Sequence, residues 1–278
     1  MREHEYSSWF DFVKMVEGGL KRDSEDVHYP SYYRGQPDAT WQLKTTLERY
    51  TGLNLAVGTY CKMIEDIQPA IESFTNKKWD LTERQDFLES LKHSPTWSSD
   101  ASNYFQYMSY LRHFGFPSPL LDWTQSPFIA AYFAFRDITS DAKSVAIYSK
   151  MEAWEQSQPN EARAEVYPIY ANSRNNTRHY LQQSIYTICI KVVDENMIFS
   201  SYEDPDLIAD DGSAYISKIV FPASERANAL LSLDAHNINA YSLFGSEESL
   251  LETMFVRKYI SAQRKIKYFI NQSATDLW

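Results

Sequence analysis

The apolar positions of this chain change their period about halfway along. In the first half they recur at three- and four-residue spacing, as in helices that bury one face. Trp9, Phe12, Val13 and Val16 form one such face, with Ser7 or Ser8 placed to cap it and Gly18-Gly19 placed to end it. Residues 56–72 carry apolar side chains at irregular helical spacing, interrupted by Pro69. Thr82 followed by Gln85 is a capping-box pattern that opens a helix to about His93. Tyr104, Met108 and Leu111 mark another helix, which ends in a loop from Gly115 to Gln125. Ser126-Pro127 then reads as an N-cap and first helical residue, opening an apolar helix through Phe135. One early segment differs: residues 29–35, Tyr29 to Gly35, read as a short strand ending at glycine.

In the second half β-branched and aromatic residues alternate with polar ones. Ser144 to Ser149, Ile185 to Val193 and Tyr215 to Phe221 read as strands, separated by polar stretches of which the longest is Gln156 to Gln183. Ser224 is placed to cap a helix to about His236. Ser246 opens a terminal helix that is acidic first and basic later, an order favourable to its macrodipole. With no repeat, low-complexity tract or linker, the pattern predicts one α+β domain over residues 1–278. Its N-terminal half is helical, with a helical insertion at about 51–110, and its strands come mostly late.

Composition narrows the class. Eleven prolines and eight glycines in 278 residues are too few for a disordered or collagen-like chain. The two cysteines, Cys61 and Cys189, are far apart and show no zinc spacing. The six histidines, His4, His28, His93, His113, His179 and His236, are scattered, so no metal is expected. The acidic run Asp204 to Asp211 lacks the alternating ligands of a calcium loop and reads as a solvated turn. The longest apolar run, Phe128 to Phe135, falls well short of the ~20 residues that span a bilayer. The opening Met1-Arg2-Glu3-His4-Glu5 leads into no apolar signal, and the expectation is a soluble, cytoplasmic protein without a membrane partner. A net charge of −10 argues against non-specific coating of nucleic acid, though a local basic groove is compatible with it. GxxxxGK[ST], GxGxxG and GxSxG are all absent, which removes the standard nucleotide-triphosphate, dinucleotide-fold and hydrolase signatures.

Three segments place polar groups where a packed element would not choose them. The first is Tyr32-Tyr33-Arg34-Gly35-Gln36, followed by Trp41-Gln42-Leu43 and Thr46-Leu47-Glu48-Arg49. An arginine at the end of an aromatic strand can aim its planar fork at phosphate or ribose oxygens, or sit in a structural ion pair. The second is Leu111-Arg112-His113-Phe114-Gly115-Phe116-Pro117-Ser118-Pro119-Leu120-Leu121-Asp122-Trp123-Thr124-Gln125-Ser126-Pro127, in which Asp, Trp, Thr and Gln crowd just before a helix N-terminus that favours anions. There Trp123 offers a face for stacking, while Asp122 and Thr124 either serve a ligand or brace the turn. The third, Arg178-His179-Tyr180-Leu181-Gln182-Gln183-Ser184-Ile185-Tyr186-Thr187, sets two flat amides immediately before a strand.

In this order the segments resemble the FRG domain, a family of bacteria and phages. The most specific block is Leu120-Leu121-Asp122-Trp123-Thr124, and a looser similarity continues through Ile219 to Phe244. Ser184 departs from a frequent glycine and Ser118 from the usual threonine. The FRG domain in turn resembles, distantly, the ADP-ribosyltransferase superfamily. That resemblance implies an α+β fold with a split antiparallel β-sheet core and NAD as substrate. It implies Arg34 on the NAD phosphates or ribose, Thr124 and Gln183 orienting the nicotinamide ribose, and Asp122 stabilising developing positive charge. Tyr33, Gly35, Gln36, Arg49, His113, Trp123, Arg178 and Gln182 would line the NAD site, with Trp123 packing its wall. Most such enzymes carry a glutamate in the third block where this chain has Gln182-Gln183, and glutamine orients without supplying charge. Glu48 sits among Leu47, Arg49 and Tyr50 in a helix, where pairing with arginine is its simpler role. The implied activity is NAD-dependent ADP-ribosyl transfer to a nucleic-acid or protein acceptor, by a toxin of a toxin–antitoxin or anti-phage system with an antitoxin protein as partner. An NAD glycohydrolase and a non-catalytic nucleotide- or partner-binding module are the alternatives.

Overall fold

The computed structural model describes residues 1–23, 31–52, 55–93, 102–138, 141–151, 163–169, 177–204, 207 and 216–275. After strand β1 (Arg2–Glu5), Ser8 caps helix α1 (Trp9–Asp23) by accepting the Asp11 N–H at 3.2 Å. The helix runs through Gly18-Gly19 instead of ending there. Glycine costs a helix interior ~1 kcal/mol, which the burial of Trp9, Phe12 and Val16 outweighs. Strand β2 is Ser31–Gln36; the expected start at Tyr29 lies outside the described residues.

Among the described residues four helices follow before the next strand: α2 (Thr46–Thr51), α3 (Val57–Thr75), α4 (Arg84–His93) and α5 (Ser102–His113). Pro69 does not interrupt α3, whose Val57, Tyr60, Cys61 and Ile64 are buried. The capping box expected at Thr82 does not form. Helix α4 starts two residues later, and among the described residues the buried Thr82 hydroxyl has no hydrogen-bond partner. The loop expected between Gly115 and Gln125 contains a strand, β3 (Leu121–Thr124), formed by long-range pairing that four residues cannot signal locally. Ser126 caps α6 (Pro127–Arg136), accepting the Ile129 N–H at 3.3 Å, as its sequence predicts.

The remaining strands are β4 (Ser144–Met151), β5 (Glu165–Ile169), β6 (Ser184–Val193), β7 (Asn196–Phe199) and β8 (Ile216–Pro222). The polar stretch from Gln156 to Gln183 holds both β5, buried throughout, and the short helix α7 (Thr177–Leu181). Its residues 156–162 and 170–176, together with Tyr215 and most of the run Asp204 to Asp211, lie outside the described residues. A 3-10 turn at Ala223–Glu225 precedes α8 (Arg226–Ala235), so Ser224 is not its cap. Helices α9 (Ala240–Phe244) and α10 (Glu247–Thr275) complete the chain, and the hydroxyls of Ser246 and Ser249 cap α10 reciprocally.

The strands form one eight-stranded sheet in the order β1-β8-β4-β2-β3-β6-β5, with β7 also on β6. Only β1–β8 is parallel among the described pairings. The central join is thin. Strands β2 and β3 meet through the single pair Tyr33–Thr124, whereas β2 and β4 share six pairs.

Paired residues share a sheet face, so Tyr33, Thr124 and Ser184 lie on one face together with Asp122 and Tyr186. Two apolar clusters cover that face. Helices α1, α6 and α8 pack on Val145 and Ile147 of β4 and on Ile219 and Phe221 of β8. Helices α2–α5 pack on Tyr186, Ile188 and Ile190 of β6 and on β5 and β7. A third cluster, with Tyr32, Leu121, Trp123, Tyr148 and Ile185, fills the opposite face. The helical layer parts over the β2–β3 join.

Candidate functional site

A cleft of about 470 Å³ opens at this parting, within the 300–1,000 Å³ range typical of small-molecule sites. Tyr33, Arg34 and Gly35 reach it from β2, Asp122, Trp123 and Thr124 from β3, Gln182 from the turn before β6, and Ser184 and Tyr186 from the start of β6. Arg112, His113 and Phe116 form one wall and Phe133 and Phe244 the other.

The thin strand join explains the floor. Where β2 and β3 part, the guanidinium of Arg34 reaches across, and its Nη1 donates to the backbone carbonyl of Asp122 at 2.7 Å. The same nitrogen stands 4.0 Å from the Asp122 carboxylate. That carboxylate takes a two-pronged ion pair from Arg112, whose Nε donates to Oδ1 at 2.5 Å and whose Nη2 donates to Oδ2. Arg112 also reaches Thr46 Oγ1 at 3.4 Å. The side chains of Arg34 and Arg112 are 18% and 14% exposed, that of Asp122 45%, so two nearly buried cations share one accessible anion. The surplus of charge in the floor is positive. Among the described residues, Arg34 Nε is a buried donor with no hydrogen-bond partner.

Electrostatics follow from this packing. Burial, with repulsion from Arg112 and Arg49, pulls the Arg34 guanidinium down to about 10 despite the attraction of Asp122, and it stays charged at neutral pH. Burial pushes the Asp122 carboxyl up, but Arg112 outweighs this and holds it below its ordinary value. Burial lowers His113, whose Nε2 lies 3.2 Å from the Tyr186 hydroxyl, so its ring is neutral at physiological pH. Burial pushes Tyr186 itself up to about 12.

The sequence-predicted residues divide into groups. Tyr33, Arg34, Gly35, His113, Asp122, Trp123, Thr124, Arg178 and Gln182 all line the cleft. Several of them are engaged structurally. Gly35 is required because a Cβ there would stand 2.0 Å from the Ala130 carbonyl oxygen and 2.5 Å from Ala134 N, so α6 lies directly on β2. The Trp123 ring is 3% exposed in the rear cluster and donates to Thr187 Oγ1 at 2.7 Å, so it packs a wall and offers no stacking face. Thr124 Oγ1 donates to the Gln182 carbonyl at 2.7 Å and accepts the Ser126 N–H at 3.1 Å, tying β6 to the start of α6. The Gln182 amide donates to the Leu243 carbonyl at 3.2 Å, and Arg178 lies 5.7 Å from the Phe244 ring.

Three predicted residues stand apart from the lining. Gln36 is buried and donates to the Gln42 carbonyl at 3.5 Å. Exposed Arg49 donates to the Lys44 carbonyl at 3.3 Å, rather than pairing with Glu48. Gln183 is exposed at the turn before β6, with a left-handed φ of 47°, and its carbonyl accepts the Gln125 N–H. The sequence reading also passed over Arg112, Thr46, Phe133, Tyr186 and Phe244. Arg112 was within reach, standing beside His113 in the second of the three segments, whereas Phe133 and Phe244 carry no signal that separates them from core aromatics.

A family model described as the FRG domain matches residues 30–143. That segment of the chain is therefore an FRG domain, and it supplies β2, α2–α5, β3 and α6, hence Arg34, Arg112 and Asp122 together. No characterised protein and no solved structure matches the chain.

Proposed function

We propose that the cleft binds NAD and that the chain transfers ADP-ribose from it to a nucleic-acid or protein acceptor, in the setting of a toxin or an anti-phage defence. The observation that carries this reading is Arg34. Its planar fork lies at the floor of a cleft of suitable volume, in positive surroundings, with Nε buried and unpartnered. A bidentate donor of this kind suits phosphate or ribose oxygens. The thin β2–β3 join supports a split-sheet core of the ADP-ribosyltransferase type, since the three motif segments stand on the adjacent strands β2, β3 and β6.

In the reaction the electron pair of the nicotinamide–ribose bond leaves with nicotinamide. The acceptor's oxygen or nitrogen bonds to the ribose carbon and gives up a proton. Arg34 holds the phosphates, and Thr124 and Gln182, which line the cleft, set the ribose against β3. His113, its proton affinity lowered by burial and its Nε2 within 3.2 Å of the Tyr186 hydroxyl, lines the same cleft.

A second reading, a nucleotide- or partner-binding module without catalysis, is favoured by one specific observation. The Asp122 carboxylate is already committed to Arg112, and among the described residues Asp137 is the other carboxylate in the cleft lining. Incubation with NAD separates the readings. A transferase yields nicotinamide and an acceptor heavier by one ADP-ribosyl group, a glycohydrolase yields nicotinamide alone, and a module yields neither. Arg34→Lys keeps the charge and loses the fork, so NAD affinity and turnover fall together in a folded protein. Retention of both would remove Arg34 from the site and the reading with it. Growth arrest on expression of the wild-type chain, relieved by Arg34→Ala, is the outcome expected of a toxin.

A further inference from the structure

A row of flat rings crosses the mouth of the cleft. Helix α5 ends in a Schellman motif, in which the Phe116 N–H donates to the Leu111 carbonyl and the Gly115 N–H to that of Arg112, both at 3.0 Å. Gly115 takes the left-handed φ of 86° that this turn requires. The turn sets His113, Gly115 and Phe116 in the cleft lining and leaves Phe114, among them, 74% exposed. On the other side the short helix α7 has no buried residue. Its Tyr180, between the lining residues Arg178 and Gln182, is 82% exposed. Tyr186, also in the lining, joins the two sides. Its hydroxyl lies 3.2 Å from His113 Nε2 and its ring centroid 5.5 Å from that of His179. Phe114 and Tyr180 are thus each one residue beyond a histidine that touches Tyr186. Past Phe114 the row continues, with Tyr110 at 4.7 Å and Trp79 a further 4.9 Å on, and Lys77 Nζ stands 5.1 Å from the Tyr110 ring.

Unpaired bases stack on such rings whatever their sequence, whereas a duplex keeps its base faces covered. Charge favours a nucleic-acid strand over a polypeptide. In a chain of net charge −10, the described cleft lining sets Arg34, Arg112 and Arg178 against Asp122 and Asp137. The far end of the row carries exposed Lys77, and nearby Glu72 is paired with Lys78 at 3.0 Å. Phosphates between stacked bases therefore meet positive charge at both ends of the row. We infer that the cleft mouth binds a single nucleic-acid strand over Tyr110, Phe114 and Tyr180, and that this strand is the acceptor. The strand site stands by itself, while the acceptor role rests on the transferase reading. In the reaction given above, a nitrogen or oxygen of the strand bonds to the ribose carbon and gives up its proton as nicotinamide leaves.

Fluorescence anisotropy of the full chain with a labelled oligothymidylate of about 12 nucleotides, in the absence of NAD, tests the strand site. The wild-type chain is expected to bind it, and a duplex of the same length at least ~10-fold more weakly. Phe114→Leu and Tyr180→Leu keep apolar bulk and lose the flat ring. Both side chains are exposed, so each variant should keep its far-UV circular dichroism and bind the strand ~5-fold or more weakly. Lys77→Gln should flatten the slope of log affinity against log salt by ~0.7, the share of one phosphate contact. A chain that does not bind the oligonucleotide, or folded leucine variants that bind it as the wild type does, overturns the inference and leaves the NAD reading standing. ADP-ribose transferred to a protein and not to the strand overturns it equally. Strand binding without cleavage of NAD upholds the strand site and removes the transferase reading, and with it the acceptor role.

Discussion

Replacing Asp122 by asparagine tests how the cleft is held. The substitution keeps the shape and part of the hydrogen bonding but leaves Arg112 and Arg34, 14% and 18% exposed, without a counter-charge. Removing one partner of a fully buried pair costs ~3–5 kcal/mol. Charge-assisted hydrogen bonds are individually worth ~1.5–3 kcal/mol. Asp122 is 45% exposed, so water recovers part of the loss, and the expected destabilisation is ~2 kcal/mol. For a chain of this size that lowers Tm by ~4–8 °C. The pH dependence has a definite sign. Burial alone would raise the Asp122 carboxyl, but Arg112 holds it below its ordinary 3.8. Its contribution is therefore complete above that value and is lost as pH falls through the lower folded value. The gap between wild type and Asp122→Asn should be constant from neutral pH down to about 4 and close below it. Differential scanning calorimetry at several pH values measures this gap. Adding Arg112→Gln to Asp122→Asn removes one of the two stranded charges, so the double variant should be more stable than the sum of the single losses by ~1 kcal/mol or more. An unchanged Tm in Asp122→Asn, or additive losses in the double variant, would refute this account of the pair. Nicotinamide release per folded molecule, followed on the same protein, distinguishes a purely positioning carboxylate from one that also steadies a cationic ribose; the latter would cost ~10²–10³ in rate.

Gly35→Ala introduces a Cβ 2.0 Å from a backbone oxygen of α6, so the helix must move off β2. The loss should exceed ~4 kcal/mol and show as insoluble or unfolded protein in expression and urea titration. Thr124→Val removes both hydrogen bonds that tie the Gln182 carbonyl to Ser126, and should cost ~1–3 kcal/mol by urea titration. Thr124→Ser keeps the hydroxyl and should recover most of that stability.

Elements with a local signal were legible in the sequence. The Ser126 cap with Pro127 behind it, the alternation of β4, β6 and β8, and the aromatic face of α1 all depend on residues a few positions apart. Strand β3 was not legible, because its four residues become a strand only by pairing with Ser184–Thr187 of β6. The same distance hid the partnership of Arg34 with Asp122, 88 residues on. Gly35 and Trp123 were singled out correctly as unusual, but for a ligand's sake. Close packing of α6 accounts for the first and a hydrogen bond to Thr187 for the second. Gly18-Gly19 and Pro69 failed as breakers because burial along α1 and α3 outweighs a local penalty of a few kcal/mol.

The parallel pairing of β1 with β8 bears on how the chain is made. Glu3 and Lys218, linked across that pair, are 215 residues apart. Strand β8 sits between β1 and β4, so until residues 216–222 have been synthesised β1 has no neighbour and β4 shows one bare edge. The half of the sheet that carries Arg34 therefore cannot close until β8 has been made. Contacts this distant slow folding, and an unpaired strand edge invites pairing with other nascent chains. The cleft is thus a late product of synthesis: a ribosome that stalls before β8 leaves a chain with every motif of the site present and no complete sheet to hold them.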